Sequence, residues 1–194
     1  MNTGKTIMLL FTSHLFFSLS MAQSFVTPKS LETGGEFSFS FEKSSNEKEI
    51  SFASYSFNAY AGIMTLQGLE IGLSPSIAGY NHSNVSETMF NLYLLPAYNF
   101  NLKSSVFPYI EFIAGIGITD NGYSVANVVG LGGDIGMKTM LNKSALLIVK
   151  IEYIHNRINF QGETDSRNYV PKDYYFDSLT FGVGFRYLII HNAE

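Results

Sequence analysis

The sequence predicts an all-β chain: an eight-stranded antiparallel up-and-down barrel that crosses a membrane on its strands. Three observations predict it. First, large apolar residues alternate with small or polar ones in segment after segment. In residues 178–187, SLTFGVGFRY, the bulky positions are Leu179, Phe181, Val183, Phe185 and Tyr187. Second, charged residues make up 14 % of the chain, well below the roughly 25 % of soluble domains. Third, the breaks between segments alternate between short and long, as they do in barrels of an outer membrane.

The first element is a processing signal. Lys5 supplies a positive start, Ile7–Leu19 an apolar run, and Ser20-Met21-Ala22 the small residues of a cleavage site. Cleavage after Ala22 makes residues 1–22 a signal peptide and 23–32 a short N-terminal segment. The chain is then exported. Beyond the first twenty residues no apolar run reaches the ~20 residues of a membrane-spanning helix.

Eight strand segments follow: 33–43, 51–64, 69–80, 88–100, 106–118, 126–140, 145–159 and 177–189. No helical period competes with them. Residues 33–189 therefore form the barrel, and 190–194 a C-terminal tail. The breaks Thr65–Gly68, Asn101–Ser105 and Leu141–Ser144 read as tight turns. The stretches 44–49, 81–87, 119–125 and 161–176 are longer or more polar. In a meander, odd and even connections fall at opposite ends, so tight turns gather at one end and long loops at the other. This predicts short periplasmic turns and longer extracellular loops.

The two faces differ in a way that decides the solvent. One parity is small or sparsely charged: Ser54, Ser56, Asn58, Tyr60 and Gly62 in the second segment, and Val128, Gly130, Gly132, Asp134, Gly136 and Lys138 in the sixth. The other is bulky throughout, with Phe37, Phe39 and Phe41, then Phe90, Leu92 and Leu94, then Leu147, Val149 and Ile151. A lipocalin-like soluble barrel would turn its large residues inward and crowd its outer face with charge. Eight bulky faces outward require an apolar solvent. Strands of this length cross a bilayer at a tilt, and closure pairs every backbone edge, as lipid demands. Tyr98, Phe100, Phe107, Tyr109, Tyr174, Tyr175, Phe176 and Tyr187 lie near segment ends and are expected in the two interfacial girdles.

With its signal peptide, eight-strand meander, loop asymmetry and a last strand bearing Phe181, Phe185 and Tyr187, the chain resembles the small outer-membrane β-barrels of Gram-negative bacteria. These are the eight-stranded kind of the OmpA transmembrane domain and OmpX. The resemblance spans about residues 33–189. It implies a monomeric, porin-like outer-membrane barrel at the cell surface. Its partners would be outer-membrane lipid and lipopolysaccharide, the barrel-assembly machinery that reads the last strand, and an extracellular protein. It departs from the family where LIIHNAE, residues 188–194, follows the final aromatic.

On the inner parity the charges are Glu36, Glu111, Asp134, Lys138, Lys150, Glu152 and Arg186. Glu111, Asp134, Lys150 and Glu152 fall at similar heights on three consecutive strands, and Arg186 faces Glu36 where the last strand closes on the first. The cluster reads as a buried ion-pair network filling a narrow lumen, or as a gate. Three acids against one lysine require either a neutral carboxyl or a further cation, Lys138 or Arg186, reaching in. Outside the barrel, Arg167, Tyr169, Lys172, Tyr174 and Tyr175 in the longest loop suit a surface that binds another molecule.

Other chemistry is weakly signalled. The chain has no cysteine, its formal net charge is −4, and it lacks a basic stripe, so neither thiolate chemistry nor nucleic-acid binding is expected. Some eight-stranded outer-membrane barrels modify lipid A with a His-x-Ser signature. Here the nearest stretch is His155-Asn156-Arg157, without the serine, and His82-Ser83 has the wrong spacing. No metal or cofactor constellation stands out. The sequence therefore favours a non-enzymatic surface protein with a membrane-integrity or adhesion-like role, ahead of a narrow solute channel and a lipid-modifying enzyme.

Overall fold

The computed structural model describes residues 28–44, 51–82, 85–100, 105–120, 125–160 and 174–189. They form a closed barrel of eight antiparallel strands in sequential order. The strands are β1 (Leu31–Ser44), β2 (Ser51–Leu66), β3 (Leu69–His82) and β4 (Val85–Asn99), then β5 (Val106–Asp120), β6 (Val125–Met140), β7 (Ala145–Phe160) and β8 (Tyr174–Ile189). Closure is made by β8 on β1, in a register that runs from Leu31 opposite Ile189 to Ser44 opposite Phe176. No edge is left unpaired, which is the condition for crossing lipid. The signal peptide, the tail 190–194 and loop residues Arg167, Tyr169 and Lys172 lie outside the described residues.

Parity sorts the side chains as the alternation demands. Phe37 is 60 % exposed and Phe185 63 %, whereas their neighbours Glu36 and Arg186 are buried at 5 % and 3 %. The outward set includes Phe57, Leu92, Phe112, Ile135 and Ile151, one apolar belt around the wall. An exposed apolar surface of this extent is stable only against lipid.

All eight segments are strands, but their ends differ from the sequence reading. β3 runs to His82 and β4 starts at Val85, with Asn81 opposite Ser86. β5 and β6 are paired out to Asp120 opposite Val125. Of the polar stretches 81–87 and 119–125, residues 81–82, 85–87, 119–120 and 125 are strand. At these residues polarity does not mark a chain reversal, because the strand pairing continues through them. At the end where β1 starts, here the near end, residues 67–68, 100–105 and 141–144 connect the strands. At the far end the connections are 45–50, 83–84, 121–124 and 161–173. The expected asymmetry rests on 161–173 rather than on all four far connections.

The near-end turns have local causes. Gly68 has φ +84°, and a Cβ there would meet the Asn99 carbonyl oxygen at 2.9 Å, so the tight β2–β3 turn needs glycine. In the β6–β7 turn, Asn142 Oδ1 accepts hydrogen bonds from the backbone N–H groups of Ser144 (2.8 Å) and Ala145 (2.9 Å).

Prolines inside a closed sheet remove ladder donors. The β2–β3 pairing skips between Asn58–Ser76 and Ala61–Leu73, around Pro75. Ser74 Oγ fills the gap by donating to the Ala59 carbonyl at 2.7 Å. A side chain replaces the missing backbone N–H.

Candidate functional site

Lumen-facing positions build the site, and they stack in layers. At the near end, Met64, Phe107, Tyr109, Leu146, Ile148 and Leu188 pack into an apolar plug. A second apolar cluster at the far end holds Ala78, Met89, Ala126, Val128, Ile158 and Phe176, with Tyr174 against it. Between them Tyr60, Leu95, Ile113 and Ile154 form a third cluster beside the charged groups. The small residues of the inner parity make room for these large ones. A Cβ at Gly62 or Gly72 would lie 2.5 Å from the Tyr60 hydroxyl.

This placement corrects the expected girdles. Phe107, Tyr109 and Phe176 are 1–2 % exposed inside the barrel, the first two in the near-end plug, and Tyr174 packs against the far-end cluster that holds Phe176. Nearness to a segment end does not say which face a residue takes; parity does. The interfacial aromatics are Tyr98 and Phe100, edge-on to each other at 5.1 Å, together with Tyr187 and Tyr175. Tyr174 and Tyr175 belong to the start of β8 rather than to a loop, and only Tyr175 faces outward.

All seven inner charges named from the sequence lie in the lumen, and they fall into two linked groups. In the first, Lys138 Nζ donates to Glu32 (2.9 Å) and Glu70 (2.6 Å), three strands apart. Arg186 donates to the other oxygen of Glu32 at 2.8 Å, and its guanidinium lies 3.5 Å from the centre of the Tyr60 ring. Tyr60 in turn donates to Glu70 at 2.6 Å, and Asn99 Nδ2 donates to the same carboxylate at 2.9 Å.

In the second group Lys150 Nζ meets Glu36 (2.5 Å), Glu152 (2.7 Å) and Asp134 (3.3 Å). Arg186 also donates to Glu36 at 3.2 Å, and so joins the two groups. The expected height match holds, since Glu111 stands opposite Asp134 and Asp134 opposite Glu152. Of the two extra cations considered, Arg186 reaches the central group through Glu36, whereas Lys138 serves the first group. The carboxyl oxygens of Glu111 and Asp134 are buried without a nitrogen donor in hydrogen-bond geometry.

Sequence reasoning missed Glu32, Glu42, Glu70 and Tyr60 as members of the lumen network. Glu32 shares the parity of Glu36 but precedes the 33–43 segment. Glu70 opens its strand on the parity of Gly72 and Ser74. Extending the first alternation by one step finds Glu32, and parity inside the 69–80 segment already places Glu70 inward. Glu42 stands apart, accepting a hydrogen bond from Ser54 at 2.7 Å.

Above the ionic groups Ser40, Ser54, Ser56, Ser74, Ser76 and Ser178 line a polar cavity of about 40 Å³. A site needs about 10–15 Å³ of such space for one water, so the cavity suits a few waters. With an apolar cluster at each end, the lumen is a filled core.

The geometry is shared with known proteins. Neisserial surface protein A is 17 % identical, over 81 % of this chain and 96 % of its own, with a TM-score of 0.56. The outer-membrane protein OprG of Pseudomonas aeruginosa is 14 % identical, over 85 % and 98 %, with a TM-score of 0.57. The outer-membrane enzyme PagL is 14 % identical, over 77 % and 97 %, with a TM-score of 0.50. No protein-family model matches the chain, and no curated protein matches it by sequence. The chain has the fold of the small eight-stranded outer-membrane β-barrels, and its outward apolar belt suits that membrane.

Proposed function

We propose that this protein is a non-enzymatic outer-membrane barrel whose interior is a structural core and whose work is done at the cell surface. The observation that carries this reading is the filled lumen. Packed apolar clusters occupy both ends, and three cations cross-link the acids between them. The seven predicted lumen charges then serve stability rather than gating. What remains to act is the outer wall and the extracellular rim, where residues 161–173 form the longest connection. Arg167, Tyr169 and Lys172 lie in that connection and suit a membrane-integrity or adhesion-like role.

The test pairs two measurements on one protein. Cells displaying the full chain are compared with cells displaying a variant whose residues 161–173 are replaced by a short Gly-Ser turn. Attachment to a cell layer, or resistance to detergent, should fall for the variant while its folded, heat-modifiable form persists. The purified barrel should leave a planar bilayer silent. Discrete conductance steps would favour the narrow-channel reading, and loss of an acyl chain from lipid A in expressing cells would favour the enzyme reading.

A further inference from the structure

Among the described residues, six carboxylates are buried in the lumen against three buried cations, Lys138, Lys150 and Arg186. Five of the six lie in the two ionic groups described above. Glu42 is the sixth, and it stands outside both. It is 2 % exposed, and among the described residues no lysine or arginine pairs with it. One carboxylate oxygen accepts from Ser54 at 2.7 Å, while Oε2 is buried without a hydrogen-bond partner. Asn156, 4 % exposed, carries a second buried oxygen in the same condition, Oδ1. Both residues line the serine-rich cavity of about 40 Å³. Glu42 on β1 pairs with Ser178 on β8, and Asn156 on β7 pairs with Phe176, two residues along from Ser178. The one cation in that lining is Lys150, already shared among Glu36, Asp134 and Glu152.

A buried carboxylate without a counter-charge is costly, and water can solvate it but cannot neutralise it. The cavity offers what a cation requires: a carboxylate oxygen, an amide oxygen and the Ser40, Ser54 and Ser178 hydroxyls around room for a few waters. Hard cations take oxygen ligands of this kind. One uncompensated carboxylate matches a single positive charge, whereas divalent sites gather several carboxylates. Glu87, half-buried on β4, lies close enough to Glu42 for the two charges to repel. The far side of the cavity is therefore electronegative as well, which draws a cation inward. The apolar plug closes the near end, so an ion that enters is held rather than passed through.

We propose that this cavity is a binding site for a small monovalent cation, sodium. Glu42 Oε2 and Asn156 Oδ1 are its fixed ligands, and serine hydroxyls with trapped water complete the shell. The ion is the counter-charge that Glu42 lacks, and it stabilises the barrel above the ionic groups. The site is independent of what the loops bind.

The test follows urea unfolding of the full mature chain, folded into phosphatidylcholine vesicles at neutral pH. Sodium chloride is exchanged for choline chloride at constant ionic strength, choline being too large for the cavity. Once sodium exceeds its dissociation constant, each further tenfold rise should increase the folding equilibrium constant about tenfold. Glu42→Gln removes the charge to be neutralised. That variant should be equally stable in both salts and more stable than wild type in choline. Asp177→Asn changes a carboxylate on the outer wall and should keep the full sodium response. If Glu42→Gln does not fold, Asn156→Leu serves, and its sodium response should be weaker than that of wild type. A wild type equally stable in both salts, or a sodium response undiminished in the folded lumen variant, would overturn the site. So would loss of the response in Asp177→Asn. A wild type that responds to pH but not to sodium would assign a proton to Glu42 and overturn it too.

Discussion

Lys138 Nζ on β6 lies 2.6 Å from Glu70 Oε2 on β3, and the two residues are 1 % and 0 % exposed. The bond spans the width of the barrel, so it ties together strands that never pair. Removing one member of a buried pair leaves the other charge without its counter-ion, which costs far more than the pair's net worth. Lys138→Met should destabilise the folded barrel by about 3–5 kcal/mol in a urea titration on lipid vesicles. Combining it with Glu70→Gln should cost clearly less than the sum of the two single changes. Strict additivity would mean the bond carries no coupling.

Lys150 stands between three carboxylates, Glu36, Asp134 and Glu152, and of these Glu36 also accepts from Arg186 and Asn58. Lys150→Met should therefore lower stability at least as much as Lys138→Met, by about 3–5 kcal/mol or more. The heat-modifiable band on an unboiled gel should fade at a lower temperature than for wild type. An unchanged melting profile would remove the central group from any account of stability.

Tyr60 has separable roles. Its hydroxyl donates to Glu70 and its ring lies under the Arg186 guanidinium. Tyr60→Phe keeps the ring and should cost about 1–3 kcal/mol for the lost donor. Tyr60→Ala also opens a cavity and should cost about 3–5 kcal/mol. Equal effects would assign everything to the hydroxyl.

Ser74 and Pro75 make a paired prediction. Ser74→Ala leaves the Ala59 carbonyl without its donor and should cost about 1–3 kcal/mol. Adding Pro75→Ala supplies a backbone N–H at the gap, so the double variant should recover most of the loss. A double variant no more stable than Ser74→Ala would show that the hydroxyl does not stand in for the ladder donor.

How far the sequence could be read depended on what each signal encodes. Parity was legible because a strand's period of two is imposed by its backbone. Phe37, Phe57, Phe112 and Ile151 all face outward where alternation put them. Strand ends at the far rim were not, because polar residues such as Asn81 and Ser86 still pair in the sheet. The partners of each lumen charge were hidden for another reason. Lys138 reaches Glu32 and Glu70 from across the barrel, and neither is its neighbour in the sheet. Strand register predicts neighbours along the wall, whereas long side chains bridge the interior. Phe107, Tyr109 and Phe176 were assigned by position along a segment when their parity already placed them inside.

Parity decides which side chains meet lipid and which fill the lumen. The chain contains no tryptophan, so single tryptophans report without background. Phe112→Trp faces outward and Tyr109→Trp faces the lumen plug. In vesicles whose acyl chains carry bromine, a contact quencher, fluorescence at position 112 should be strongly quenched and fluorescence at position 109 nearly unchanged. Equal quenching at both positions, or quenching at 109 alone, would contradict the claim.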